Sequence, residues 1–452
     1  MATQQDTYDF LFLLGDALIK SGASAASSTK TLLAVADKCG LQNVTISITM
    51  GQLVISDSRG DDQIPYTDIH ELEPGVLDIS WRASAEEIIE DFLMGNITAE
   101  QATARLRREN KEQKKPSWIL NVIGFAMIGM GFSQIVGAGW VIMVGATITS
   151  LLVSTTLMFM KNARTPGIFK FALGGFLAVH ISALFCILTH SNDVVVCIVS
   201  ALASYLAGAA AYGAVQDAVM GWYLSSIGKF LDALICTAGL ITGVSVGVAV
   251  AKLYAPEELR FVETLQVDSK TWVDPLLGAA VLTAGFALAC GGRSWRLLSL
   301  TLVGVGGEFL YLFLDELHVG AFASTAVTAA VVGGVCVVLS KPLHLTSNAI
   351  MVVSLLALFP GMMIYQSMLG LLGKQSGAAE LAVEALVTTY CLSVGGTAGQ
   401  FIVSELLWLL RKAQFRKEFP DQEFSKNMVD EHNAQDIMLP VFSRPFSKSS
   451  SS

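Results

Sequence analysis

Between residues 116 and 410 the chain carries 25 charged side chains in 295 positions, 14 acidic and 11 basic. A water-soluble domain has about a quarter of its residues charged, so this stretch belongs in lipid. Apolar runs long enough to cross about 30 Å of hydrocarbon recur along it. They fall near 118–137, 140–160, 167–189, 194–214, 230–251, 275–291, 297–314, 319–340, 349–369 and 383–410, which makes ten, the sixth and seventh being the shortest.

The charge outside this stretch is of another kind. Residues 1–115 hold 18 acids and 11 bases, and the tail from Arg411 to Ser452 holds 6 acids and 7 bases. A polar domain of about 115 residues is long enough to bury a core of its own. The net charge of −9 repels a phosphate backbone, which excludes nucleic acid as a partner. Phe10 to Ile19, the first apolar stretch, is short, interrupted by Gly15 and Asp16 and preceded by acids, unlike a secretory signal. The N-terminal domain is therefore expected in the cytoplasm. Six of the seven cysteines (Cys186, Cys197, Cys236, Cys290, Cys336, Cys391) fall in apolar segments with no CxxC among them, so neither disulfides nor a metal or other cofactor is expected.

The charges flanking the spans set their direction, because cytoplasmic connections collect Lys and Arg. Arg105, Arg107, Arg108, Lys111, Lys114 and Lys115 precede the first span. Lys161, Arg164 and Lys170, then Lys229, then Arg293 and Arg296, then Lys341 mark alternate connections, whereas 137–139, 190–193 and the acidic 253–274 face the other way. Arg411, Lys412, Arg416 and Lys417 follow the last span. A lone Lys374 follows the ninth span, and ten spans with both termini in the cytoplasm fit every connection.

The second half of the membrane region echoes the first at an offset of 152–155 residues. Gly131-Phe132 recurs as Gly285-Phe286, Trp140 as Trp295, and Gly208…Tyr212 as Gly361…Tyr365. Ala233-Leu234 recurs as Ala385-Leu386, and Gly243…Gly247 as Gly395…Gly399. Each repeat holds five spans, and an odd number inverts the second copy. The expected fold is an α-helical polytopic membrane protein of ten transmembrane helices in two inverted five-helix repeats, with a small soluble α+β N-terminal domain. Its expected parts are 1–115 (cytoplasmic domain), 116–252 (first repeat), 253–274 (external acidic loop), 275–411 (second repeat) and 412–452 (cytoplasmic tail, partly disordered from Pro420). Such repeats around a midplane site are a secondary-transporter architecture. No phosphate-binding loop competes: Gly221 to Lys229 has the wrong spacing and Phe230 follows the lysine.

The paired interruptions of spans four and nine point to the site. Leu206-Ala207-Gly208 with Tyr212 and Phe359-Pro360-Gly361 with Tyr365 stand at corresponding positions, and Pro and Gly free backbone groups there to meet a ligand. Asp217 follows the first break. Among ionisable groups at membrane depth, His180 in span three and Glu308 after Gly304-Val305-Gly306-Gly307 in span seven are candidates for carrying a proton, the plainer alternatives being a His bonded to a nearby carbonyl and a carboxyl at the interface. Asp232, Glu384 and Glu405 lie nearer span ends. Gly239, Gly243 and Gly247, and Gly395 and Gly399, lie four apart and let helices approach closely, or form a seam that slides.

In the N-terminal domain, 7–20 and 24–39 have helical periodicity, and Val44–Thr49 with Gln52–Ser56 alternate like a hairpin about Met50-Gly51. Ser84-x-x-Glu87 and Thr98-x-x-Gln101 read as capping boxes opening two helices. His70 among Asp57, Asp61, Asp62, Asp68 and Glu71 reads as an acidic loop rather than a metal site.

The order Leu14-Gly15, Ser21-Gly22-Ala23-Ser24, Gly40-Leu41, Val44-Thr45-Ile46-Ser47-Ile48-Thr49, Gly95-Asn96-Ile97-Thr98, Ala102, Leu106, then Gly208, Asp217, Gly221 and Phe359-Pro360-Gly361 resembles the threonine/serine exporter family over about residues 8–412. Ala207-Gly208 stands where that family usually has Pro-Gly, and Ser27 and Thr29 where many members have Arg and Glu. The resemblance implies export of L-threonine and L-serine from the cytoplasm across the cell membrane, driven by the proton motive force, by a transporter and not an enzyme. Its partners would be a small amino acid, protons and the bilayer, with assembly into a homo-oligomer left open. On these roles the breaks take the substrate carboxylate, Tyr212 and Tyr365 donate to it or to the substrate hydroxyl, and Asp217 takes the ammonium or a proton. The alternatives are a membrane-embedded hydrolase using the N-terminal domain, although no Gly-x-Ser-x-Gly or HExxH occurs, and a passive channel.

Overall fold

The computed structural model describes residues 4–418 apart from 22–23, 42, 50, 59–63, 73–76, 113–117, 161–164, 192, 256–271 and 373–375. The acidic connection expected at 253–274 and the tail expected from Pro420 lie largely or wholly outside the described residues.

The N-terminal domain packs four helices, α1 (Gln4–Lys20), α2 (Ala25–Lys38), α3 (Ile79–Leu93) and α4 (Ala99–Glu112), with a three-stranded sheet of β1 (Val44–Ile48), β2 (Gln52–Asp57) and β3 (Tyr66–Glu71). The strands pair antiparallel in chain order, with Ile46 opposite Ile55 and Leu53 opposite His70. Alternation puts Ile46, Ile48, Leu53 and Ile55 on the inner face against Tyr8, Leu11, Leu14 and Leu18 of α1. The third strand corrects the acidic-loop expectation around His70. It is an edge strand with Thr67, Ile69 and Glu71 facing out, while Asp68 and His70 lie on the side of Ile55 and Leu53, the His70 ring 4.5 Å from that of Phe12.

Local capping signals fared unequally. Thr98 and Gln101 form the reciprocal box, with Thr98 N–H donating to Gln101 Oε1 at 2.9 Å and Gln101 N–H to Thr98 Oγ1 at 3.3 Å. Thr98→Ala is expected to cost about 1 kcal/mol, read as a lower thermal midpoint. Ser84 opens nothing. It lies inside α3, whose N-cap is Asp78, accepting from Trp81 N–H at 2.9 Å.

The membrane region begins with α5 (Trp118–Ile135), α6 (Trp140–Phe159) and α7 (Gly167–Thr189). A broken element follows: α8 (Val194–Leu202), a 3₁₀ turn (Ala203–Tyr205) and α9 (Gly208–Val219), bent by 42°. Then comes α10 (Tyr223–Ala251). The second series is α11 (Val273–Ala289), α12 (Ser294–Glu316), α13 (Ala321–Leu343), a second broken element of α14 (Ser347–Ser354), a 3₁₀ turn (Leu356–Leu358) and α15 (Gly361–Leu372), bent by 56°, and α16 (Ala378–Glu418). Among the described residues seven helices are long and apolar enough to cross a membrane, nine counting each bent pair once, and α11 falls short at 17 residues.

Three of the boundaries that differ from expectation bear on charged residues. The fourth span runs past 214 to Val219 because Gln216 and Asp217 sit on its buried side. The fifth begins at Tyr223, not 230, so Lys229 lies within a helix. The tenth continues through Glu418, taking the first residues of the expected tail into α16.

The helices meet through glycine. A Cβ on Gly124 of α5 would lie 2.5 Å from the carbonyl oxygen of Gly285 on α11, and one on Gly285 would lie 2.7 Å from that of Gly124. Gly131 and Gly278 approach each other in the same reciprocal way, at 2.6 and 2.7 Å. On α10, a Cβ at Gly239 would meet the Ile168 carbonyl, one at Gly243 would collide with that of Ala172, and one at Gly247 would press on Val179, all on α7. On α16, Gly395 and Gly399 face the carbonyls of Ala326 and Ala330 on α13 in the same way.

The N-terminal domain docks through α3. Ile79 N–H donates to the Cys290 carbonyl at 2.8 Å, and Ser80 Oγ to that of Gly291 at 2.6 Å. Glu90 lies 3.7 Å from Lys341 and 3.5 Å from His344, while Trp222, between α9 and α10, packs against the domain's core.

Candidate functional site: the paired helix breaks

Leu206 and Phe359 leave their 3₁₀ turns in the same extended conformation, φ −66°, ψ 139° and φ −68°, ψ 131°. For Phe359 the cause is local, since a residue before proline is driven out of the helical region. Nothing comparable constrains Leu206, which is followed by Ala207.

The two breaks touch. A Cβ on Gly208 would lie 3.0 Å from the Gly361 nitrogen and from Phe359 Cβ, and one on Gly361 would lie 2.9 Å from Leu206 Cβ and 3.3 Å from the Gly208 nitrogen. Only glycine permits this approach. Two helix N-termini, of α9 and α15, therefore face each other. Ala211 N–H returns to the Ala207 carbonyl at 2.8 Å and Ile364 N–H to that of Pro360 at 3.0 Å. The first-turn N–H groups before them have no intrahelical acceptor, although Gly361 N–H donates to the Phe359 carbonyl at 2.8 Å, and no side chain caps α9. Such ends attract negative charge.

The tyrosines flank this junction differently. Tyr212, fully buried, stacks on Phe359 at 5.0 Å and 25°, and its hydroxyl has no hydrogen-bond partner among the described residues. Tyr365 is buried in an apolar cluster with Ile198, Ile241 and Leu240. Asp217 does not share the Tyr212 face. Its carboxylate oxygen Oδ2 accepts from Ser225 Oγ at 2.6 Å and pairs with Lys229 Nζ at 2.7 Å, so any other cation there competes with the lysine.

The two groups considered for proton transfer lie on α7 and α12, outside the broken elements themselves. His180 Nδ1–H donates to the Phe176 carbonyl one turn back at 2.9 Å, and its ring lies 4.1 Å from that of Phe176. Glu308 is buried in α12 with one carboxyl oxygen unbonded among the described residues, and no Lys, Arg or His is paired with it there.

Several positions escaped sequence reasoning. Gly124 and Gly278 carry the α5–α11 contact, and their offset of 154 residues was the available signal. His190 and His344, also 154 apart, end α7 and α13 in the left-handed conformation, at φ 52° and 51°.

Residues 9–251 match a family model described as a threonine/serine exporter, and residues 275–404 match a second, described as Threonine/Serine exporter, ThrE. The chain is 23% identical over 428 residues to the threonine/serine exporter of Corynebacterium glutamicum, covering 93% of this chain and 87% of that protein. It is 22% identical over 419 residues to a protein of Mycobacterium tuberculosis named Probable threonine/serine exporter, covering 88% of this chain and 76% of that one. No solved structure matches. With more than half its length matched by one family model, and with apolar helices long enough to cross a bilayer, the chain belongs to the threonine/serine exporter family of multi-pass membrane amino-acid transporters.

Proposed function

We propose that this protein exports L-threonine and L-serine from the cytoplasm, using the proton motive force and alternating access, with ten spans in two inverted five-span repeats and both termini cytoplasmic. The observation that carries this reading is the meeting of two helix N-termini at the breaks, where the exposed amides of both form one electropositive seat for an α-carboxylate. Support for the inversion comes from the reciprocal contacts of Gly124 with Gly285 and Gly131 with Gly278, the pattern a two-fold axis between equivalent helices produces. The alternating charges support the orientation and α11 as the sixth span. Corynebacterial and mycobacterial relatives named for threonine and serine suggest the substrate.

In this scheme the amides of α9 and α15 hold the carboxylate, and Tyr212 and Tyr365 supply hydroxyls on either side of the junction. Asp217 exchanges Lys229 for the substrate ammonium or a proton. In this reading Glu308 and His180 take up and release a proton as the repeats rock against each other. Gly239, Gly243 and Gly247 on one side, and Gly395 and Gly399 on the other, hold each five-helix unit together while it moves.

Counterflow of labelled threonine in proteoliposomes tests these roles. Tyr365→Phe is expected to slow it roughly tenfold, the worth of one hydrogen bond, and Asp217→Asn by up to roughly a hundredfold, as a charged partner is lost. Wild-type rates in these variants would remove the residues from the scheme. Efflux indifferent to an uncoupler would replace proton coupling with passive passage.

A further inference from the structure

Three amides in the membrane region, beside Tyr212, have no part in the scheme above. Asn348 on α14 accepts through Oδ1 from Gln216 Nε2 on α9 at 3.1 Å and from Gln400 Nε2 on α16 at 2.9 Å. Gln400 Nε2 also lies 3.8 Å from Met351 Sδ. That sulfur and the Tyr212 hydroxyl converge over Gly396, where a Cβ would stand 2.7 Å from the sulfur and 3.4 Å from the hydroxyl oxygen. The Tyr212 hydroxyl and Thr397 Oγ1, the latter one turn from Gln400, are buried without partners among the described residues. Three helices from three different spans thus bring their uncharged polar groups to one place beside the breaks.

Packing does not require them. At the offset of 152–153 residues, Gln216 corresponds to Leu369, Asn348 to Val195, Gln400 to Val248 and Met351 to Ile198. All four counterparts lie in one apolar cluster around Tyr365, itself the counterpart of Tyr212. The same local arrangement is therefore built from aliphatic side chains in one repeat and from amides in the other. Burying amides costs free energy unless they are bonded. Here Gln216 is buried and Asn348 and Gln400 are half-buried. The three amides make two hydrogen bonds with one another, and Asn348 Nδ2 and both glutamine carbonyl oxygens keep bonding capacity that nothing else among the described residues takes up and that is not fully enclosed.

We propose that Gln216, Asn348, Gln400 and the Tyr212 hydroxyl form the subsite that recognises the side-chain hydroxyl of a small zwitterionic amino acid. The proposal rests on the export reading above and adds the residues that select the substrate. A hydroxyl requires a donor and an acceptor side by side, which an amide provides, and the cluster has no charge to favour an ionic side chain. Its place fits entry from the side of the N-terminal domain. α14 starts just after His344, which faces Glu90 of that domain, and α9 ends just before Trp222, which packs on its core. The aliphatic counterpart on the other side has the Tyr365 hydroxyl but no amide, so the two ends of the path would hold the substrate unequally.

The test uses the full-length protein in proteoliposomes and compares threonine with 2-aminobutyrate, which has the same carbon skeleton without the hydroxyl. The ratio of the two counterflow rates is the readout, because a merely structural role would move both rates together. The wild-type protein is expected to favour threonine at least tenfold, since a site built to bond a hydroxyl discriminates strongly against the analogue lacking it. Asn348→Leu and Gln400→Leu are expected to bring the ratio to within about twofold of unity. Asn348→Asp, which keeps the volume and the acceptor but loses the donor, guards against misfolding of the leucine variants and is expected to lower the ratio at least threefold.

A ratio that stays at the wild-type value in a transporting variant would overturn the proposal, as would a wild-type protein with no preference. So would variants that carry neither amino acid, because 2-aminobutyrate needs no hydroxyl contact. A wild-type protein that carries no amino acid at all would instead remove the export reading, and this one with it.

Discussion

Gly399→Leu is expected to keep the membrane region from folding into a monodisperse particle. At this position even a Cβ collides with the Ala330 carbonyl, and four residues earlier Gly395 meets that of Ala326 in the same way. The contact is two-sided, since Gly333 of α13 lies equally close to the Gly396 carbonyl of α16. Overpacking a core costs about 1–3 kcal/mol when side chains can turn aside. Here the obstacle is main chain held in a helix, so the cost is expected at or above the upper end of that range. Gly243→Leu, against the Ala172 carbonyl on α7, is expected to behave alike. Gly306→Ala on α12 is the control, because a Cβ there meets nothing within 4 Å. Size-exclusion profiles and thermal midpoints in detergent decide the matter, and a Gly399→Leu protein that melts with the wild type would show that the two helices do not pack backbone to backbone.

The second large effect concerns a charge pair inside the N-terminal domain. Arg82 and Glu86, one turn apart on α3, are both fully buried and meet at 2.6 Å, and their remaining side-chain polar atoms have no hydrogen-bond partner among the described residues. Removing one member of such a pair strands the other charge in a medium that solvates it poorly. Arg82→Met is therefore expected to destabilise the domain by about 3–5 kcal/mol. Replacing both, as Arg82→Met with Glu86→Leu, removes the stranded charge and is expected to recover most of that loss. Thermal unfolding or limited proteolysis of the full chain reads both variants. A double variant no more stable than Arg82→Met would mean that the pair contributes more than it costs to desolvate. Because α3 also carries Ile79, Ser80 and Glu90, the single variant is further expected to loosen the docking of the domain on the turn after α11 and the end of α13.

How much of this was legible depended on how local each cause was. The break at Phe359-Pro360-Gly361 was readable because proline constrains its own neighbour. Its partner at Leu206-Ala207-Gly208 had only glycine to mark it and emerged through the repeat. The Thr98–Gln101 cap was readable because all its atoms lie within one turn, whereas Ser84 satisfied the same pattern and lost to Asp78, whose side chain already bonded the first free amide of α3. The third strand was hidden because polar residues on both its faces, Thr67 on one and Asp68 and His70 on the other, resemble a loop, yet Asp68 accepts from the Tyr66 hydroxyl and His70 packs on Phe12. The true start of α10 was hidden for the same reason: Ser225, Ser226 and Lys229 interrupt the apolar window, yet Asp217 satisfies both Ser225 and Lys229.

Hydropathy, flanking charge, helix breakers and a repeat near 153 residues sufficed to lay out the polar N-terminal region, the apolar elements and the two interruptions, because each is a property of neighbouring residues. Which elements touch was another matter. Periodicity says which face of a helix is small or polar and is silent on what that face meets. That Gly124 meets Gly285, that Gly208 meets Gly361, and that Gln216 and Gln400 both find Asn348 across 132 and 52 residues follows only once the helices are packed. Contacts of that range are chosen by the fit of whole surfaces, and in this protein that choice brings the paired breaks and the amide cluster together.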